Sequence, residues 1–128
     1  MFWLSKKFYR ENEKGASAVE LALVLPILLM LLFGIFQFGL VFNSYLAVTH
    51  AAREGARLAS VDKYSESVVI ERATPVTPTS VTINYPNGKA QGEPVTVTVN
   101  DDFTLEIPFY GTVNIPLSGS ATMRMETS

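Results

Sequence analysis

The feature that most constrains this chain is an apolar run from Leu21 to Phe42, which only Gln37 interrupts. A helix of this length measures about 33 Å, enough to cross the roughly 30 Å hydrocarbon core of a bilayer. A helix buried in a soluble domain would instead carry a polar stripe, and this run has none. The sequence therefore predicts one transmembrane helix.

Charge is divided unevenly around that run. Residues 1–15 contain four basic residues against two glutamates, whereas the rest of the chain holds six Lys/Arg against ten Asp/Glu. The basic excess on the N-terminal side predicts a cytoplasmic N-terminus, with the chain beyond the helix outside the membrane. The acidic remainder argues against a nucleic-acid partner, because phosphate binding needs a basic patch.

A cleaved secretory signal peptide is the main alternative to a retained helix. The apolar core of such a peptide usually has about 7–15 residues and is followed by a small-x-small cleavage site. Here the run is longer, and the first cluster of small residues comes only at Ala47 to Ala52. This spacing favours a helix that stays in the protein.

A glutamate lies at the start of the apolar run, in the stretch Lys14-Gly15-Ala16-Ser17-Ala18-Val19-Glu20. An unpaired carboxylate deep in a bilayer costs about 2.5–3.5 kcal/mol, so its presence indicates a functional role. Pro26 lies farther along the run, where it removes one helical hydrogen bond. It predicts either a modest kink or a local softening that lets packed subunits bend past one another.

Small residues recur every four positions after the apolar run. One row contains Ala47, Ala51, Gly55 and Ala59, and the next contains Ala52, Ala56 and Ser60. The segment is rich in helix formers, so the helix is expected to continue through it. Rows without long side chains allow another backbone to approach closely, which predicts helix packing at these positions.

Three charged residues lie on the other side of this extension. Arg53 and Arg57 are one turn apart, and Glu54 can pair with Arg57 at a spacing of three residues. These charges form either a solvated helix face or a contact that docks another subunit or domain. The sequence leaves both interpretations open.

The C-terminal half is predicted to form a short helix and a small antiparallel sheet. Alternating apolar residues indicate three to five short strands, which need a cover because a small isolated sheet is marginal. The rows of small residues are the expected cover. The predicted elements are a helical turn at Glu66–Arg72, strands at Val81–Tyr85, Val95–Val99, Phe103–Ile107, Val113–Leu117 and Ser120–Glu126, and turns at Pro86–Lys89 and Asn100–Asp102.

The residues that usually carry chemistry are sparse. Cysteine is absent, and His50 is the only histidine, with no second ligand at metal spacing and no serine–aspartate constellation to match it. Asn100-Asp101-Asp102 lacks the ligand spacing of a calcium loop. No catalytic residue, metal site, cofactor or small-molecule substrate is therefore expected, and the chain is not predicted to be an enzyme.

The block from Gly15 to about Ser60 resembles the TadE-like family, small pilin-like subunits of the tight-adherence (Tad) pilus machinery. The resemblance is carried by the leader end Gly15–Glu20, the run Leu23-Val24-Leu25-Pro26 and the block Ala51–Arg57. The tail Ser120-Ala121-Thr122-Met123-Arg124 also resembles the end of that family. Residues 62–118 match only in general character.

The resemblance implies cleavage by a prepilin peptidase between Gly15 and Ala16. Glu20 would then be the fifth residue of the mature chain and would face the new α-amino group at Ala16, in its own subunit or a neighbour. Leu21 stands where pilin-type proteins often carry an aromatic residue. Major Tad pilins are much shorter and have essentially no folded domain, so a minor pilin or pseudopilin is the closer expectation.

The combined expectation is an α+β chain with a pilin-like lollipop fold, in which a long N-terminal transmembrane helix continues into a small antiparallel sheet. The expected segments are a leader at 1–15, an assembly helix at 16–43, its outer half at 44–61 and a β-domain at 62–128. The expected partners are a prepilin peptidase, other pilin subunits, the pilus assembly platform and the bilayer of the cytoplasmic membrane. Two alternatives stay open: a membrane-anchored component of a secretion or envelope complex that never polymerises, and a secreted β-domain that binds carbohydrate or a receptor.

Overall fold

The computed structural model describes the backbone of residues 2–127 and the side chains of residues 14–127. The chain belongs to the α+β class, with a long apolar helix followed by a small antiparallel sheet, as predicted. It divides into two compact units between Phe38 and Gly39. The elements in order are α1 (Phe2–Ser60), α2 (Glu66–Arg72), β1 (Ser80–Asn84), β2 (Pro94–Ile107) and β3 (Gly111–Arg124).

The N-terminal unit is formed by α1 as far as Phe38. Its large apolar side chains from Val19 onward are exposed. Pro26 lies inside the helix without ending it. Among the described residues, α1 is the one helix long and apolar enough to cross a membrane.

The C-terminal unit contains the end of α1, the short helix α2 and the sheet. The sheet is antiparallel with the strand order β1-β2-β3. Strand β2 is central: Ser80 in β1 pairs with Asn100, and Val99 pairs with Gly119 in β3. The predicted helical turn at Glu66–Arg72 and the first strand are confirmed, with β1 shifted by one residue at each end.

The core lies between α1 and one face of the sheet. Alternate residues of β2 are buried because successive side chains of a strand point to opposite faces. Residues of α2 close the side of this core. The buried apolar residues are Val48, Ala51, Ala52, Ala56 and Ala59 from α1, Val69 and Ala73 from or next to α2, and Val95, Val97, Val99, Leu117 and Met125 from the sheet.

The helix and the sheet approach each other closely at Gly119. A Cβ atom added at this residue would lie 2.7 Å from the carbonyl oxygen of Val48 and 2.8 Å from the Cα of Thr49. Real Cβ atoms essentially never come that near to backbone atoms. Gly119 is therefore needed for the packing of β3 against α1.

The predicted turn at Asn100-Asp101-Asp102 is wrong. These residues continue β2 and pair in register with Ser118, Leu117 and Pro116. The two short strands predicted on either side of them are one strand of 14 residues. The propensity of Asn and Asp for turns is overridden here by the continuous ladder to β3 and by the apolar alternation on both sides.

The strands predicted at Val113–Leu117 and Ser120–Glu126 are likewise one strand, β3. Pro116 is tolerated within it because β3 is an edge strand of the described sheet, so the missing N–H can face outward. The hairpin instead turns at Pro108-Phe109-Tyr110, directly after the predicted stop at Pro108. Phe109 there has a φ of 68°, in the left-handed region.

Candidate functional site

The residues singled out for processing and pairing lie on the exposed N-terminal part of α1. Gly15, Ala16 and Glu20 are all exposed. Ala16 and Glu20 are four residues apart, so they share one helix face and are separated by about 6 Å along the axis. Among the described residues, Glu20 makes no ion pair. Residue spacing thus makes Ala16 and Glu20 neighbours on the helix surface.

An apolar surface follows directly after Glu20. The side chains of Leu21, Leu23 and Ile27 are each more than half exposed, and Pro26 lies among them. No described residue of the chain covers this surface. It has the character expected of a helix that contacts lipid or the helices of other subunits.

The small-residue rows predicted for helix packing lie in the C-terminal unit. Ala51, Gly55 and Ala59 are buried, and Ala47 is half-buried. A Cβ added at Gly55 would lie 2.9 Å from a methyl group of Val69 and 3.0 Å from one of Val97. These rows therefore pack against α2 and the sheet of the same chain.

The three charged residues predicted for docking lie on the outer side of the same helical segment. Arg53 and Arg57 are exposed, and Glu54 is half-buried. The guanidinium of Arg57 donates two hydrogen bonds to the Glu54 carboxylate, at 3.0 Å from Nε and 2.8 Å from Nη2. These bonds, together with the positive charge of Arg57, lower the pKa of Glu54 below its usual value.

The arrangement of this charged group favours a solvent-facing surface. The ion pair between Glu54 and Arg57 is satisfied within one turn of α1, and both partners remain accessible. Arg53 leaves a second guanidinium on the same surface. His50, which is not predicted to be a catalytic or metal-binding residue, is exposed one turn earlier in α1.

No metal-binding cluster is found in the part of the chain that the structure describes. Within residues 14–127, His, Asp and Glu side chains do not form a group of three that could hold a metal ion. Asp101 and Asp102, which were considered as oxygen ligands, lie side by side in β2 and therefore point to opposite faces of the sheet.

Sequence reasoning missed the importance of two places. Gly119 carries no signal beyond its position between two serines, and its close approach to α1 depends on strand register. Phe109 and Tyr110, at the hairpin tip, are the other omission. Two adjacent aromatic residues after a proline, with Gly111 next, could have been read as an exposed turn.

The model of the TadE-like protein family matches residues 15–57. The match confirms the resemblance from the end of the leader through the Ala51–Arg57 block. Neither a curated protein nor a solved structure matches the chain. The resemblance of the tail Ser120–Arg124 lies outside the matched residues and stays a prediction. Over residues 15–57 the chain is therefore similar to TadE-like proteins.

Proposed function

We propose that this protein is a minor pilin or pseudopilin that is cleaved by a prepilin peptidase and takes part in assembling a Tad-type pilus. It is a single-pass protein of the cytoplasmic membrane with its N-terminus in the cytoplasm. The observation that carries the proposal is the position of Glu20, one turn after Ala16 at the start of an exposed apolar helix. Its partners are the peptidase, other pilin subunits, the assembly platform and the bilayer.

Cleavage falls between Gly15 and Ala16. A protease must reach the backbone of the bond that it cuts, and a bond within a helix has to leave the helical conformation first. Glycine makes this easier, since it is less favourable in a helix than alanine by about 1 kcal/mol. No described side chain lies within 4 Å of the position where a Cβ at Gly15 would stand, so the site is open to an enzyme.

Cleavage creates a positive partner for Glu20. The new α-amino group at Ala16 lies on the same helix face as the Glu20 carboxylate, about one turn away. In the low dielectric of a membrane such charges attract strongly, and removing one of them leaves the other uncompensated. Pairing between neighbouring subunits would fix their relative position along a filament.

The folded C-terminal unit supports a minor rather than a major subunit. It gives the chain a sheet and a core beyond the assembly helix. The small residues of α1 in this unit are occupied by the chain's own sheet, so they are not available to a second helix. Contacts between subunits would therefore use the exposed apolar part of α1 and the outer surface of the C-terminal unit.

The role proposed is structural. The chain is not an enzyme, requires no cofactor and acts on no small molecule or nucleic acid. What supports this is the absence of cysteine from the sequence, its single histidine and its slight negative charge. The surface of the C-terminal unit serves contacts with other proteins or with the target of the pilus.

Intact-mass analysis of the protein from its native membrane tests the proposal. We expect a mature chain that begins at Ala16, and we expect Gly15→Leu to keep the full length because its side chain blocks the cleavage position. Gly34→Leu is the matched control, since a Cβ at Gly34 also meets no described atom within 4 Å, and it should be processed normally. A native chain starting at Met1 would favour the anchored component that never polymerises.

Substitution of Glu20 separates processing from assembly. We expect Glu20→Gln to be cleaved normally but to be largely lost from sheared pili, because the neutral amide cannot pair with the α-amino group. Its incorporation is measured by immunoblotting of the pilus and membrane fractions. Normal amounts of Glu20→Gln in pili would contradict the proposed pairing.

A further inference from the structure

The tip of the β2–β3 hairpin carries two aromatic side chains that the described chain leaves uncovered. Phe109 is 98% exposed and Tyr110 is 79% exposed. Ile107 and Val113 stand directly behind them and are also exposed. The stretch 107–113 contains no charged residue. A contiguous apolar patch of this kind marks a contact with another apolar surface.

The turn holds these aromatic rings outward despite an unfavourable backbone conformation. Phe109 has a φ of 68°, a region that bulky residues rarely occupy. Gly111 follows with a φ of 112°, and the amide of Tyr110 donates a hydrogen bond to the carbonyl of Ile107 at 3.1 Å. Strained conformations of this kind are concentrated at functional positions.

Two contacts within the C-terminal unit fix the direction in which the hairpin points. In the C-terminal half of β3, Gly119 lies against the backbone of Val48 and Thr49. Just beyond the C-terminal end of β3, the amide of Glu126 donates a hydrogen bond to the carbonyl of Ser60 at 2.8 Å. From Gly119 to Glu126 the chain therefore runs in the same direction as α1 from Val48 to Ser60, and β3 followed back from Gly119 leads toward the start of this unit at Gly39.

The lengths of the two elements place the tip at that end of the unit. From Gly119 back to Gly111 the strand covers about 26 Å. From Val48 back to Gly39 the helix covers about 14 Å. Residues 39–42 are the last four of the apolar run, and Leu40 and Phe42 are 40% and 53% exposed. The strand is therefore long enough to reach at least the level of Gly39, so the hairpin tip lies at the end of the C-terminal unit where the apolar run ends.

We propose that the hairpin tip, formed by Ile107, Phe109, Tyr110 and Val113, inserts into the interfacial layer of the bilayer that the apolar run spans. This inference rests on the proposed membrane anchoring. Tyrosine suits that layer because its ring is apolar and its hydroxyl stays hydrated. A lipid surface fits better than a second protein copy, because the helix enters the bilayer at the end of the unit where the tip lies. The tip gives the sheet a second membrane contact besides α1.

Single-cysteine labelling tests this contact directly, because the natural chain has no cysteine. An environment-sensitive fluorophore is placed in turn at Tyr110→Cys, Asn87→Cys and Leu32→Cys of the full-length chain. Each variant is reconstituted in vesicles of phosphatidylethanolamine and phosphatidylglycerol, and quenching by lipids spin-labelled at the headgroup or in the acyl chain is measured. Asn87 is the matched control, since its turn lies near the Ser60 end of the unit.

We expect the label at position 110 to be blue-shifted and quenched by headgroup-labelled lipid, while the label at position 87 is unaffected. The label at position 32 should be quenched by acyl-chain spin labels, which checks the membrane anchoring itself. Quenching at position 32 but not at 110 would overturn the hairpin contact alone. Energy transfer between labels at position 110, rising with the protein-to-lipid ratio and without lipid quenching, would instead assign the tip to a second copy.

Discussion

The two halves of α1 differ in the size and in the exposure of their apolar residues. From Val19 to Phe38 the helix carries large apolar side chains that are exposed, whereas from Ser44 to Ser60 it carries small residues that are buried. Small side chains let the sheet of the same chain approach, and large ones present a broad surface to a different medium. The size of the apolar residues, more than their hydrophobicity, therefore indicates which part of the helix is covered from within the chain.

The strongest test of this contrast is Gly119→Ala. The added Cβ would meet the carbonyl oxygen of Val48 and the backbone of Thr49, which cannot rotate away as a side chain would. We expect the free energy of unfolding of the C-terminal unit to fall by about 3 kcal/mol. Hydrogen exchange of the β2 and β3 amides, measured in mild detergent, reports this loss as faster exchange.

Gly34→Ala is the control for that substitution. A Cβ at Gly34 would meet no described atom from elsewhere in the chain within 4 Å, and alanine is more favourable than glycine in a helix. Exchange in the sheet should therefore be unchanged in this variant. If Gly119→Ala also left exchange unchanged, the close packing of β3 on α1 would be contradicted.

A second test applies one substitution to both halves of the helix. Val48 is fully buried and Val24 is 56% exposed, and both belong to α1. Val48→Ala removes two buried carbon atoms and leaves a cavity, so we expect it to destabilise the C-terminal unit by about 2 kcal/mol. Val24→Ala should leave the exchange of the sheet amides as it is in the natural chain.

Equal effects of the two valine substitutions would remove the distinction between the halves. The measurement is again hydrogen exchange of the sheet amides in the same detergent. Both variants replace valine by alanine in the same helix without a change of charge. A difference in amide exchange between them therefore reports the burial of the valine alone.

Some features of α1 and of the sheet can be predicted from the sequence alone. The helix is evident from the run Leu21–Phe42, since length and composition suffice for a membrane span. Its packing surface is evident from small residues spaced by four. The alternation of Val95, Val97 and Val99 identifies the buried face of β2 without any knowledge of partners.

Strand length in the hairpin could not be predicted from local signals. Asn100 to Asp102 has the composition of a turn, yet it pairs with Ser118, Leu117 and Pro116 because the ladder on both sides is in register. Gly119 likewise acquires its importance only once β3 lies on α1. Both features depend on contacts between residues distant in sequence, which propensity does not contain. The candidate site is different, because Gly15, Ala16 and Glu20 were predicted from a local motif and stay a prediction.

The smallest effect is expected at the charged surface of the packed half. Hydrogen bonds from Arg57 lower the pKa of Glu54 in the folded chain below its ordinary value of 4.5. The carboxylate form therefore stabilises the folded state fully above the unfolded pKa, and this contribution is lost as the pH falls through the lowered folded-state pKa. The pair is exposed, so its contribution is small and is screened by salt.

Glu54→Gln tests this surface interaction. The urea midpoint of the natural chain should exceed that of the variant slightly at neutral pH, and the two should converge in acid once Glu54 is protonated. Near-ultraviolet circular dichroism of the tyrosines follows the transition, and raising the salt concentration at neutral pH should narrow the same difference. A large difference in urea midpoint that persists in acid or in high salt would mean that Glu54 makes stabilising contacts beyond its pair with Arg57. The outer face of the helix could then no longer be described as solvated in contrast to the buried inner face.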